Sequence, residues 1–145
     1  MAHPTGIGVH LVLIREDRIL LGRRRNTGYA DGWWHLPAGH LEAGESVAAG
    51  MVREAEEELG LLIAEDELRL VHVLHDRDPD DGVVRLQLFF ATDTYRGEPA
   101  NCESHKCSEL RWWPLTGLPE PTVPYLRVAL AGIAAGRQLT VQGFG

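Results

Sequence analysis

Gly39 to Leu61 reads GHLEAGESVAAGMVREAEEELGL, and this stretch decides the reading of the whole chain. A helix turns about 100° per residue, so Glu54, Glu57 and Glu58 fall within roughly 100° of one another on one face. Three like charges that close repel, each pair by about 0.2–0.5 kcal/mol even when exposed. A cation among them would remove that cost. Hard divalent ions take carboxylate oxygens, keep several waters and complete their shell with substrate phosphates. The residue types therefore suit Mg²⁺, with Mn²⁺ as a substitute, and do not suit a thiolate-loving ion.

On the same helix Val47, Ala48, Met51, Val52, Ala55 and Leu59 fill the neighbouring arc, so an apolar stripe presses the helix onto a core. Ser46 reads as the N-cap and Gly60 as the C-terminal stop. Arg53 lies next to Glu54 and one turn from Glu57, where it can pair with and orient the carboxylates. Glu56 points away and reads as solvated. An acidic helix alone is usually just a solvated face. What overturns that reading is the set of fixed offsets around it: Gly39, Glu45, Arg53, Glu54, Glu57, Glu58 and Gly60.

Those seven residues resemble the Nudix box, G-x5-E-x7-R-E-U-x-E-E-x-G-U, in which U is a bulky aliphatic residue. Leu61 satisfies the second U, whereas Ala55 is small for the first. A chance match at a given start is on the order of one in 10^8. The resemblance implies an α/β fold, the Nudix α/β/α sandwich, with a mixed β-sheet packed between helices in one domain over residues 1–145. It implies a metal held by Glu54, Glu57, Glu58 and the backbone carbonyl of Ala38, where many relatives have glycine. It also implies a catalytic set of Arg53, Glu54 and Glu57, in which Glu54 is a ligand or the base that activates water.

Other positions carry over less directly. Arg23, Arg24 and Arg25 end a strand and read either as solvated charge or as a fork for phosphate. By ungapped comparison with MutT-like members, Arg24 takes a phosphate-binding position, and Gly39 is placed with it at the substrate. Glu98 and Glu103 precede the last strand before the C-terminal helix. Glu103 is the better match for a further metal-reaching glutamate, because ESHKCSELRWWPLTGLP resembles the EPEKCESW-type ending of certain nucleotide-triphosphate pyrophosphatases. The pairs Trp33–Trp34 and Trp112–Trp113 could stack a base, though such pairs more often leave one ring in the core and one near the surface. His72 and His75 fall on opposite faces of a strand and form no metal pair. Cys102 and Cys107 flank His105 without good zinc spacing and read as reduced, incidental thiols.

The reaction implied is Mg²⁺-dependent hydrolysis of a nucleoside diphosphate linked to another group. The small size and the late KCSEL–W–LP segment lean toward nucleoside triphosphates, oxidised ones included, giving a nucleoside monophosphate and pyrophosphate. The alternatives are another leaving group (a nucleotide sugar or dinucleoside polyphosphate), a non-catalytic nucleotide sensor, or isoprenoid diphosphate isomerisation. A sensor would usually have lost box carboxylates, and the late cysteines do not suit the isomerase.

The 145 residues carry 44% hydrophobic and 24% charged residues, ordinary for one soluble domain. A net charge of −7 argues against a duplex nucleic-acid partner. No apolar run reaches the roughly 18 residues of a membrane span, and the N-terminus has no signal-peptide pattern, so the expected location is the cytoplasm. The expected partner is a small nucleotide, with a homodimer implied by the family. Patterning predicts strands over Gly6–Ile14 and Ile19–Arg25 about a turn at REDR. It predicts further strands over Leu68–Asp76, Val83–Tyr95 and Glu109–Leu115, and a helix over Val123–Ala135. QLTVQGFG is either a short strand or an extended tail.

Overall fold

The structure is a computed structural model that describes residues 4–145. Its elements are β1 (Gly6–Val12), β2 (Ile14–Arg15), β3 (Arg18–Arg24), β4 (Trp34–His35), β5 (Ala38–His40), α1 (Val47–Leu59), β6 (Arg69–Arg77), β7 (Val84–Ala91), β8 (Cys107–Pro114), α2 (Pro124–Ala134) and β9 (Leu139–Gln142). A single 3₁₀ turn, Glu65–Glu67, links α1 to β6.

The strands form two sheets. A mixed five-stranded sheet runs β5-β1-β7-β6-β9, and in the second sheet β3 pairs with β2, β4 and β8. In the first, β1 is parallel to β7, β5 joins β1 antiparallel and β6 joins β7 antiparallel. All pairings of the second sheet are antiparallel. The first hairpin turns through Glu16 and Asp17, both at positive φ (52° and 61°). That backbone matches the right-handed strand twist, and the short polar side chain of Asp17 tolerates it.

Period-2 alternation gives the central sheet two apolar faces. Val9 and Leu11 of β1, with Leu88 and Phe90 of β7, pack against Met51, Ala55 and Leu59 of α1. Val12 and Phe89, from the same two strands, point the other way and pack with Leu74 against Leu126 and Ala129 of α2. One helix thus covers each face, and the α/β sandwich expected from the sequence is present. Each fully buried Leu or Met here contributes about 1.5–3 kcal/mol.

Several boundaries differ from expectation for local reasons. The first strand breaks after Val12. The β7 strand stops at Ala91, where Thr92 Oγ1 bonds the backbone of Thr94 in a turn. The C-terminal segment is a strand, β9, parallel to β6. The short strands β4 and β5 lie within what reads as loop. No described helix is long and apolar enough to cross a membrane.

Candidate active site

The acidic helix is delivered by a strand, a bend and a cap. β5 pairs with β1 through His10↔Ala38 and Val9↔Gly39, which fixes the strand beneath α1. The chain then turns through Gly44 at φ 77°, and Glu45 Oε1 accepts from the Glu42 N–H at 3.1 Å. Ser46 caps α1, its Oγ accepting from the Ala49 N–H at 3.1 Å. Gly60 ends it at φ 71°, a left-handed position that favours glycine.

Arg53 is the hub. Its Nε donates to Glu45 Oε2 at 2.7 Å and its Nη2 to Glu45 Oε1 at 3.0 Å, a bidentate fork. Nη1 donates to Glu54 at 2.8 Å and Glu57 at 3.2 Å, and Nη2 also reaches the His40 carbonyl at 3.2 Å. One guanidinium therefore ties together the strand end, the bend and two carboxylates of the helix. The Arg53 hydrogen bond holds the Glu45 carboxyl below its ordinary range. Sequence spacing anticipated the bonds from Arg53 to Glu54 and Glu57. It marked Glu45 by its offset but gave it no task, and the anchoring role is visible only in three dimensions.

Glu54 and Glu58 sit deeper. The Glu54 side chain is 12% exposed, against 53% for Glu57. A Cβ on Gly39 would lie 2.0 Å from the Glu54 carboxyl carbon, so only glycine permits this approach. Glu58 Oε2 accepts from the Ala38 N–H at 3.0 Å. Burial, then the charge of Glu54, pushes Glu58 up to about 8. Burial likewise raises Glu54, opposed by Arg53. Glu103 arrives from another segment: the Ala100 and Cys102 N–H groups bond the Leu59 and Glu58 carbonyls at 3.0 Å. Its charge adds to the upward shifts of Glu54 and Glu58, and Lys106 lies 3.9 Å from its carboxylate.

Other anticipated residues take more definite places. Arg24 is fully engaged, with Nε on the Tyr29 carbonyl at 2.7 Å, Nη1 on His35 Nδ1 at 3.1 Å and Nη2 on Thr27 Oγ1 at 3.0 Å. Arg25 and Asn26 bind the Ser104 and His105 carbonyls, clamping this loop to the one carrying Glu103. Glu98 pairs instead with Arg15 of β2. Trp34 is buried and meets Trp113 edge-on, while Trp33 is exposed. Both cysteines are free. His72 is buried and spans Arg137 and Thr140, whereas His75 meets the Phe144 ring at a tilt, with centroids 4.6 Å apart. Sequence reading missed His10, which is buried, and His35, which is half-buried beside Arg24; as lone strand residues they gave no signal.

A hard divalent cation suits this donor set. Every side-chain donor is a carboxylate, and burial first, with repulsion among the carboxylates adding to it, raises Glu54 and Glu58 above the ordinary range, a cost that a cation would offset. Among the described residues no three acidic, imidazole or thiol groups already converge as a cage. Glu54 and Glu57 turn to Arg53, and Glu58 turns to the Ala38 N–H.

An α/β sandwich bearing an arginine-bound cluster of glutamates on its first helix defines the class. The NUDIX domain pattern matches residues 4–131. Among solved structures, a MutT NUDIX hydrolase from Burkholderia pseudomallei superposes with a TM-score of 0.80 at 29% identity, covering 89% of this chain and 98% of that one. An ADP-ribose pyrophosphatase of Methanocaldococcus jannaschii is 33% identical over 118 residues, 81% of this chain and 66% of that protein. The Nudix hydrolase YvcI of Bacillus subtilis, itself uncharacterised, is 33% identical over 102 residues, 70% of this chain and 61% of its own. This chain thus spans somewhat less than two thirds of those two curated relatives. It belongs to the Nudix family.

Proposed function

We propose that the protein is a Mg²⁺-dependent pyrophosphohydrolase that cleaves nucleoside triphosphates, oxidised ones included, to a nucleoside monophosphate and pyrophosphate. The observation that carries this reading is the intact box acting as one unit. Arg53 grips Glu45, Glu54 and Glu57, and Glu58 is buried beside Glu54 with its carboxyl pushed up to about 8. A structural helix would not hold its carboxylates in so costly an arrangement.

Glu57, Glu58, Glu54, Glu103 and the Ala38 carbonyl are the groups that would hold magnesium, which neutralises the diphosphate and acidifies a bound water when present. The chain's own contribution is position and proton transfer. Glu57 is half exposed and meets the arriving phosphates from the solvent side. Glu54, nearly enclosed and hydrogen-bonded by Arg53, accepts the proton of the attacking water. Arg53 acts by holding Glu54 and Glu57 and need not touch the substrate. Gly39 serves by letting Glu54 close against β5.

A second reading keeps the reaction and changes the leaving group to a nucleotide conjugate. It is favoured by the name of the ADP-ribose pyrophosphatase relative. Both are tested by magnesium-dependent release of pyrophosphate and phosphate across triphosphates, oxidised triphosphates, nucleotide sugars and dinucleoside polyphosphates. Glu57→Gln should lower turnover by at least about a hundredfold without unfolding the protein. An unaffected rate would sink the assignment. Cleavage of conjugates alone transfers it to the second reading, and nucleotide binding without turnover points to a sensor.

A further inference from the structure

From Ala100 to Lys106 the chain forms neither helix nor strand, and every residue of this loop except Glu103 is exposed. The Glu103 side chain is turned inward and is only 25% exposed. An exposed loop normally sends its carboxylates to water, so one turned inward needs a reason. Lys106 supplies little of it, because its ammonium is itself exposed and 3.9 Å away. The direction Glu103 faces is that of the glutamate cluster. Burial is the main cause that raises Glu54 and Glu58, and the Glu103 charge adds to it for both.

What holds Glu103 there is a set of bonds to its backbone and to the turn that follows. Its N–H donates to Asn101 Oδ1 at 3.3 Å, and its carbonyl accepts from the Lys106 and Cys107 N–H groups at 2.9 and 3.0 Å. Asn101 Nδ2 donates to the Cys107 carbonyl at 2.8 Å, so one amide side chain joins both ends of the turn. Just upstream, the Cys102 N–H donates to the carbonyl of Glu58, a member of the cluster itself. The backbone before Glu103 is thereby fixed to α1.

The far side of the turn is fixed by the residues that follow β3. Pairing of β3 with β8 shifts register between Arg23 and Arg24 and reaches Arg24↔Cys107. Beyond that point two residues take up three consecutive carbonyls. The Lys106 carbonyl accepts from the Arg25 N–H at 3.0 Å, that of Ser104 from Arg25 Nη2 at 2.6 Å, and that of His105 from Asn26 Nδ2 at 3.1 Å. Asn26 has φ 56°, a left-handed backbone in which asparagine is enriched. Side chains thus continue the sheet where strand pairing has ended. Both residues are exposed and add nothing to the core.

We infer that Arg25, Asn26 and Asn101 are positioning residues for Glu103, holding its carboxylate beside Glu54 and Glu58 before any divalent cation binds. The inference rests on the reading of Glu103 as a metal-site glutamate. It goes further by making cation affinity depend on three residues that are not ligands. Partners that orient a metal ligand from behind change affinity by about 10–100-fold when they are removed.

The test is Mn²⁺ binding to the nucleotide-free protein, followed by the electron paramagnetic resonance signal of the free ion. Glu103→Gln should weaken binding by about tenfold or more. Asn101→Ala should weaken it by about tenfold, and so should Arg25→Ala combined with Asn26→Gly. Glycine suits the left-handed backbone at position 26, so the amide is removed without straining the turn. Arg25→Lys can still donate to the Ser104 carbonyl and should bind nearly as the wild-type protein does. Placed in the Glu103→Gln protein, the same clamp substitutions should have no further effect, because they act only through that carboxylate. A merely structural role would lower affinity by the same factor in both backgrounds, and that result overturns the inference. Folded clamp variants with wild-type affinity also overturn it, as expected if Arg25 meets substrate phosphate instead. Thermal unfolding establishes which variants are folded, and Asn101→Ala keeps the test decisive if the double substitution is not. If Glu103→Gln itself binds Mn²⁺ normally, the inference fails while the hydrolase reading stands, since turnover of Glu57→Gln judges that separately.

Discussion

At the scale of single residues, the site depends on one missing methyl group and one arginine. Replacing Gly39 with alanine would place Cβ against the Glu54 carboxyl, which is enclosed and held from the other side by Arg53. Glu54 must then move. Gly39→Ala should lower turnover at least about tenfold and the thermal midpoint by a few degrees, consistent with a loss of about 1–3 kcal/mol from overpacking. Steady-state kinetics and thermal unfolding check both parts, and normal turnover would show that the contact relaxes freely. Glu45 is tested differently because it lies one step back from the reaction. Glu45→Gln removes the charge that anchors the Arg53 fork while preserving its shape. The expected result is a fall in kcat of about tenfold with little change in KM, since Arg53 orients groups and does not meet the substrate. A fall confined to KM would move Arg53 into direct substrate contact.

At the scale of elements, α1 is a separately capped unit whose stability can be changed without touching its carboxylates. Ser46→Ala loses the bond to the Ala49 N–H and should cost about 1 kcal/mol, with turnover nearly unchanged. Chemical denaturation and the same kinetic assay measure this, and a turnover loss parallel to Glu57→Gln would mean the cap also sets the register of the cluster. This helix is also where the sequence was most informative. Its boundaries, cap and stop are written in local spacing, as are the core contacts of Met51, Ala55 and Leu59 and the bonds of Arg53 to Glu54 and Glu57, whereas Ala48 and Val52 of the expected stripe are only half-buried. The clamp between residues 25–26 and 104–105 was not legible, because those residues are about 80 positions apart and carry no periodic signature. The same limit explains Arg24: its guanidinium is legible as a charge, but its three partners are fixed by how the loop folds back. β4 and β5 were missed because two- and three-residue strands are too short to show alternation.

At the scale of the whole molecule, the two histidines and the buried glutamate link stability to pH with opposite signs. His10 and His35 are depressed to about 4 and about 3 by burial. Between those values and an unfolded value near 6.5, the unfolded chain binds more protons than the folded one. Each histidine therefore makes stability fall as pH drops below about 6.5, by about 1.4 kcal/mol per pH unit when fully expressed. Glu58 works the other way, since its carboxyl is pushed up to about 8 when folded and its unfolded value is near 4.5. In that window the folded protein holds its extra proton, and stability rises as pH drops. The enclosed Glu54, also raised by burial, adds to that opposing trend. The wild-type slope is thus a partial cancellation, and the informative quantity is the difference between variants. His35→Phe removes one histidine contribution and leaves Glu58 in place. From pH 6.5 down to 4.5, its unfolding free energy should fall less steeply than that of the wild-type protein, by up to about 1.4 kcal/mol per pH unit. Urea unfolding of both proteins at pH 7, 6 and 5 without divalent cations measures it. Parallel slopes would mean that His35 titrates normally, which requires it to be open to water or to swing away from Arg24.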